Sequence, residues 1–187
     1  EVSQGISFVA LNALLMRRYM HEFGWQREDF APFAINAHAN GVHNPNAMFQ
    51  RAISAGSYNR APMIATPVSL FDASPVCDGA AAVVLAPADY ARSLSPAPVK
   101  IAASAVGTAP LALHDRPDPM VLEAGAISSR KAYEQAGIDP WDVDFFELHD
   151  AFTIMAALSL EASGFAEKGE GVRLGLDGEI TRDGKLP

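Results

Sequence analysis

Residues 80–86, Ala-Ala-Ala-Val-Val-Leu-Ala, form an unbroken apolar run directly after an Asp78-Gly79 turn signal. A strand with one wet face alternates apolar and polar side chains. A run without alternation fits a strand covered on both faces, as in a sheet sandwiched between helices. The rest of the chain supplies helical patterns. Phe8, Leu11, Leu15, Tyr19 and Phe23 recur at helical spacing up to Gly24, a stop signal. Residues 27–40 repeat the pattern with Phe30, Phe33, Ala34, Ala37 and His38 until Asn44-Pro45 breaks it. Asn46 is placed to cap a short helix through Ala52.

After Pro62 comes an extended apolar stretch, 63–71, interrupted by Pro67, and then the apolar run itself. Residues 88–92 read as a short helix and 93–98 as a Ser/Pro linker. Beyond it the spacing predicts a strand over 99–106, a helix over 121–136 stopped by Gly137 and Pro140, a strand over 143–148 and a helix over 153–163. Strand, helix, strand, helix is the signature of an α/β layer architecture with crossover connections. The tail, 168–185, carries Asp177-Gly178 and Asp183-Gly184 and predicts one or two turns or hairpins.

Charge and composition remove several function classes. With 14 basic and 22 acidic residues the 187-residue chain carries a formal charge of −8, so no basic stripe is available to track nucleic-acid phosphates. At 49% hydrophobic residues it has the material for a packed core. No apolar run approaches the roughly 20 residues of a membrane span, and no signal peptide opens the chain. A single cysteine, Cys77, excludes an internal disulfide framework and a multi-thiolate zinc site. These readings together suit a cytoplasmic protein. Both ends, Glu1-Val2-Ser3 and Lys185-Leu186-Pro187, read as cuts inside a larger one.

The segment most able to carry chemistry is Glu147-Leu148-His149-Asp150-Ala151-Phe152-Thr153. It sets a histidine and a carboxylate where a strand ends and a helix begins, where unpaired N–H groups and the positive dipole end suit an anionic or carbonyl oxygen. The plainer alternative is that Asp150 caps the helix and His149 is a hydrogen-bonded spacer. Cys77, on the threshold of the apolar run, reads as a small buried hydrophobe rather than a nucleophile. His38 and His43 do not share a helix face as a metal pair would, His21 sits at a helix end, and no role is read for His114, so no metal site is expected. Neither a G-x-G-x-x-G pattern nor a phosphate-binding lysine loop occurs.

Three passages resemble the thiolase superfamily, in its sterol-carrier-protein-like and archaeal-type branch. LNALLMRRYMHEFG, residues 11–24, resembles the first long helix of that branch's loop domain. ASPVCDGAAAVVL, residues 73–85, resembles the family's A-S-G-x-N-D-G-A-A-A segment. HDAFT, residues 149–153, resembles this branch's H-D-x-F motif, where other thiolases carry N-E-A-F. The resemblance implies a layered αβαβα thiolase fold of which the middle portion is present: residues 1–62 as helical loop domain, 63–92 as the end of the N-terminal domain, 93–98 as linker and 99–187 as the first half of the C-terminal domain.

It also implies an acyl-CoA C-acyltransferase that condenses or cleaves 3-ketoacyl-CoA thioesters such as acetoacetyl-CoA, with coenzyme A thioesters as substrates and no permanently bound cofactor. His149 matches the residue that helps build an oxyanion hole, Ser74 a serine that contacts the pantetheine arm, and Phe152 an aromatic beside the acyl pocket. Asp150 is structural on this reading. The nucleophilic and second catalytic cysteines have no counterpart here, because Cys77 takes the family's Asn-like position, so the 187 residues are expected to be inactive and poorly folded alone. Expected partners are CoA and acyl-CoA, further copies in a homodimer or tetramer, and a small zinc-ribbon/OB-fold acyl-CoA-binding protein; neither nucleic acid nor membrane is expected. Two alternatives carry different chemistry: a thiolase-like retro-aldolase acting on a steroid-CoA side chain, and a non-catalytic scaffold subunit.

Overall fold

The computed structural model describes residues 2–187. Its first long helix, α1 (Phe8–Phe23), is capped by the Ser7 hydroxyl, which accepts from the Ala10 N–H, and ends where Gly24 adopts φ 80. A tight turn, Arg27–Phe30, leads into α2 (Ala31–Gly41), and α3 (Ala55–Asn59) starts on the Ser54 cap. Two short strands, β1 (Met63–Ala65) and β2 (Val68–Ser69), pair antiparallel across a cis Thr66–Pro67 bond. Helix α4 (Ala88–Leu94) stands in an otherwise irregular stretch. Helix α5 (Glu123–Ala136) ends at Gly137, φ 70, and α6 (Thr153–Ala162) and α7 (Gly171–Leu176) follow.

Helix α6 is the centre of the core. Ile154, Ala156, Ala157, Leu158 and Leu160 are all buried, and a helix that is apolar on every side has to be surrounded. Helix α1 meets it through Met16 and Tyr19, whose hydroxyl donates to Glu161. Helix α5 is tied to its end by the Tyr133 hydroxyl, 2.9 Å from the Ser163 carbonyl. Helix α7 lies so close that a Cβ on Gly171 would stand 2.3 Å from the Ala157 carbonyl oxygen. Beside this core, Ala31, Ala34 and Tyr58 join α2 and α3 in a smaller cluster.

Several expectations are corrected. Residues 46–52 form no helix. The Asn44 side chain accepts from the Asn46 N–H, and the Gln50 side chain donates to the Pro45 carbonyl. Such local bonds compete with helical ones. The tail makes the expected turns at 177–180 and 182–183, but residues 171–176 before them coil into an unexpected helix, α7, whose small Gly171 and Gly175 admit close packing. The strands expected over 80–86, 99–106 and 143–148 are irregular backbone without a ladder among the described residues. Val83, Val84 and Val99 are 85%, 93% and 96% exposed. A strand exists through hydrogen bonds to a neighbour, and here the nearest approach to one is a single bond from the Phe146 N–H to the Pro187 carbonyl, 3.0 Å.

Candidate active site

Two segments singled out from the sequence, 78 residues apart as Ala73 and Ala151, lie side by side. Ala73 bridges Phe152 in antiparallel fashion, and the Ser74 N–H donates to the Ala151 carbonyl at 2.9 Å. His149 and Asp150 precede this bridge and are exposed. Phe152 follows Ala151 into the core, buried and edge-on to Phe8 with ring centres 5.6 Å apart. Ser74 is exposed on the other strand of the bridge. Phe152 occupies the N-cap position of α6, and no side chain caps this helix. Asp150 is therefore not the cap that the plainer reading assigned to it.

Ser74 also lines a groove of about 560 Å³. Ile53, Ile64, Leu70 and Phe71 supply its apolar wall, and Phe49, His38 and Arg51 complete it. The His38 ring is stacked on Phe49 and edge-on to Phe71, and its Nδ1 lies 2.9 Å from the Arg51 carbonyl. Long apolar contact with one cation and a few polar tips suits a flexible, amphipathic arm that ends in a charged group. Asp150 borders a smaller cavity of about 180 Å³ with Phe146, Leu148, Phe33 and Asn36.

Under the bridge lies a polar knot. The buried Asp72 carboxylate accepts from the Ser69 N–H (2.8 Å), the Ser69 hydroxyl (2.6 Å), the Thr153 hydroxyl (2.7 Å) and the Tyr58 hydroxyl. Burial together with the Asp72 charge drives the Tyr58 hydroxyl well above the usual phenol range, which keeps it a donor. Arg27 lies over the Tyr58 ring at 4.5 Å and donates to the Tyr58 carbonyl at 2.7 Å. The sequence reading missed this knot and the groove. Ser69-x-x-Asp72 has capping-box spacing, a signal too common to single it out, and nothing local links either residue to Thr153.

Cys77 is exposed rather than buried, on backbone that packs against nothing that would hide it. Among the described residues no group of His, Cys, Asp and Glu is arranged to hold a metal ion, and no helix is long and apolar enough to cross a membrane.

A family profile described as "Thiolase C-terminal domain-like" matches residues 105–187. The chain is 41% identical over its whole length to an acetyl-CoA acetyltransferase of Methanothermobacter thermautotrophicus, of which it covers 49%. It is 34% identical to the benzoylsuccinyl-CoA thiolase subunit BbsB of Thauera aromatica, over 99% of this chain and 48% of that protein. Among solved structures, an Ltp2-ChsH2(DUF35) aldolase superposes with a TM-score of 0.83 at 26% identity, covering 95% of this chain and 48% of the other. The chain thus spans about half the length of the curated relatives it matches.

Proposed function

The chain belongs to the thiolase superfamily, and from that premise we propose that the intact protein is an acyl-CoA C-acyltransferase, cleaving or forming 3-ketoacyl-CoA thioesters such as acetoacetyl-CoA. The observation that carries this reading is the bond between Ser74 and Ala151, which seats the HDAFT motif beside a serine that lines a largely apolar groove. In thiolysis a thiolate adds to the C3 carbonyl carbon of the substrate, and the C2–C3 bond breaks with its electron pair moving to C2. The resulting enolate carries its charge on the thioester oxygen. His149 donates an N–H to that oxygen, Ser74 holds the pantetheine arm, and the Phe152 ring closes the acyl side. C2 is then protonated, and free CoA takes the acyl group from the first thiolate. That thiolate comes from a segment outside these 187 residues, since Cys77 takes the Asn-like position of the family's motif before Asp78-Gly79.

The same reading gives the whole protein the layered αβαβα architecture, divided at the boundaries 1–62, 63–92, 93–98 and 99–187. It requires no permanently bound cofactor and places the enzyme in the cytoplasm as a homodimer or tetramer. A zinc-ribbon/OB-fold acyl-CoA-binding subunit is its expected partner.

The test uses the intact enzyme. His149→Ala is expected to lower kcat for acetoacetyl-CoA thiolysis by about 10²–10³, the usual effect of deleting an oxyanion donor. Undiminished turnover overturns the role of His149. Ser74→Ala is expected to raise KM for CoA several-fold with kcat nearly unchanged, the signature of lost uniform binding. A second reading is favoured by the superposition on an aldolase: retro-aldol cleavage of the β-hydroxyacyl-CoA side chain of a steroid. The two part on co-substrate, because the aldolase reaction releases its products without free CoA and thiolysis consumes one CoA per turnover.

A further inference from the structure

We propose that Asp72 is a positioning residue of the site, setting through Thr153 the register in which the HDAFT motif meets the Ser74 segment; the inference rests on the thiolase reading for its kinetic test. A capping aspartate needs only the two bonds from Ser69 that close its own turn. Asp72 accepts two more, from donors 14 and 81 residues away in sequence, Tyr58 and Thr153. The carboxylate is 2% exposed. A buried charge is tolerated only when its lone pairs are engaged, so these four donors have one arrangement in which all are served.

The consequence runs along the two strands. Asp72 holds Thr153, the next residues pair as Ala73 with Phe152, and the next as Ser74 with Ala151. The side-chain bond therefore lies in line with the backbone pairing and pins its buried end. His149 stands two residues beyond Ala151 on the exposed side, at the free end of the same pairing. Tyr58, itself clamped by Arg27, fixes the carboxylate from the side of α3, which also carries Ser57 of the groove wall. One carboxylate thereby links the groove, the serine strand and the first turn of α6, and its displacement moves the donor against the bound thioester without touching either.

Asp72→Asn turns an acceptor toward the Ser69 donors into a second donor and endangers folding, so Thr153→Val in the intact enzyme carries the test, with Thr153→Ser as its conservative partner. Turnover of acetoacetyl-CoA is measured per acylatable site. Thr153→Val is expected to lower kcat by about tenfold or more, in line with the sensitivity of catalysis to ångström-scale misplacement, with KM within about twofold of the parent. Thr153→Ser is expected to recover most of the loss. An unchanged kcat per site, or a loss that serine does not recover, overturns the proposal. Amide hydrogen exchange supplies a readout independent of activity. The Ser74 N–H is expected to exchange at least about tenfold faster in Thr153→Val, and an unchanged rate overturns the coupling even where the parent enzyme proves to catalyse another reaction. Parent enzyme without turnover of acetoacetyl-CoA, combined with faster Ser74 exchange, overturns the thiolase reading and leaves the positioning role standing.

Discussion

Glu161 shows how a half-buried group contributes to the pH response of this core. Its Oε1 accepts from the Tyr19 hydroxyl at 2.5 Å and from the Gly171 N–H at 2.9 Å, joining α1 and α7 to α6. Burial pushes the carboxyl above its ordinary value of 4.5, against the opposing pull of these donors. A carboxyl raised by folding contributes stability that is fully present below its unfolded value and is lost as pH rises through the folded one. Glu161→Gln keeps an oxygen for both donors and removes the charge. The variant is expected to melt above the parent near neutral pH, with the gap closing as pH falls to about 4; a gap that widens on acidification contradicts this. Asp118 behaves oppositely, since its bond to Lys168 holds the carboxyl below the usual range. Its contribution is present above the ordinary value of 3.8 and disappears as pH falls below it. Neither pairing was legible in the sequence, where Tyr19 and Glu161 lie 142 residues apart.

At the scale of elements, helices were readable where apolar period and end signals coincide. Helices α1 and α5 end at the glycines their sequences offer, because only glycine enters the left-handed region without a Cβ penalty. Helix α7 was unreadable because two of its three buried residues, Gly171 and Gly175, have no side chain to extend the hydrophobic period of Val172. Its docking instead depends on what is missing from them. A Cβ at Gly171 meets the Ala157 backbone oxygen at 2.3 Å, and backbone cannot rotate away as a side chain can. Gly171→Ala is expected to destabilise the intact protein by about 1–3 kcal/mol, the usual cost of overpacking, measured as a lower denaturant midpoint. Leu158, 1% exposed in the middle of α6, gives the opposite lesion: Leu158→Ala is expected to cost about 2–5 kcal/mol through the cavity it leaves.

Over the described residues the notable feature is apolar backbone with little packed against it. Residues 80–86 and 99–106 have the composition of covered strands, yet several of their valines are almost fully exposed. Residues 103–109 retain half of that design: alternate positions are partly covered, and Gly107 approaches the Ala124 carbonyl of α5 so closely that a Cβ would stand 2.2 Å away. Two-faced strands bury their surface only when neighbours supply both the ladder and the covering helices. The intact protein is therefore expected to protect the amides of residues 80–86 by at least about 10³ in hydrogen exchange relative to the 187-residue chain alone. Equal exchange in the two would remove these residues from any sheet.

By itself the sequence determined what is encoded within a turn or two of chain: the helical period, the glycine stops, the strand-like composition of 80–86, and the short motifs that resemble the thiolase superfamily. Each rests on residues close enough in sequence to constrain one another directly. The tertiary structure decided what depends on contacts across the chain. It placed Ser74 against Ala151, bound Asp72 to Thr153, formed the groove between α2, α3 and the residues after β2, and left the apolar run without a ladder among the described residues. Pairing and burial depend on which distant surface arrives, and no local pattern specifies that partner.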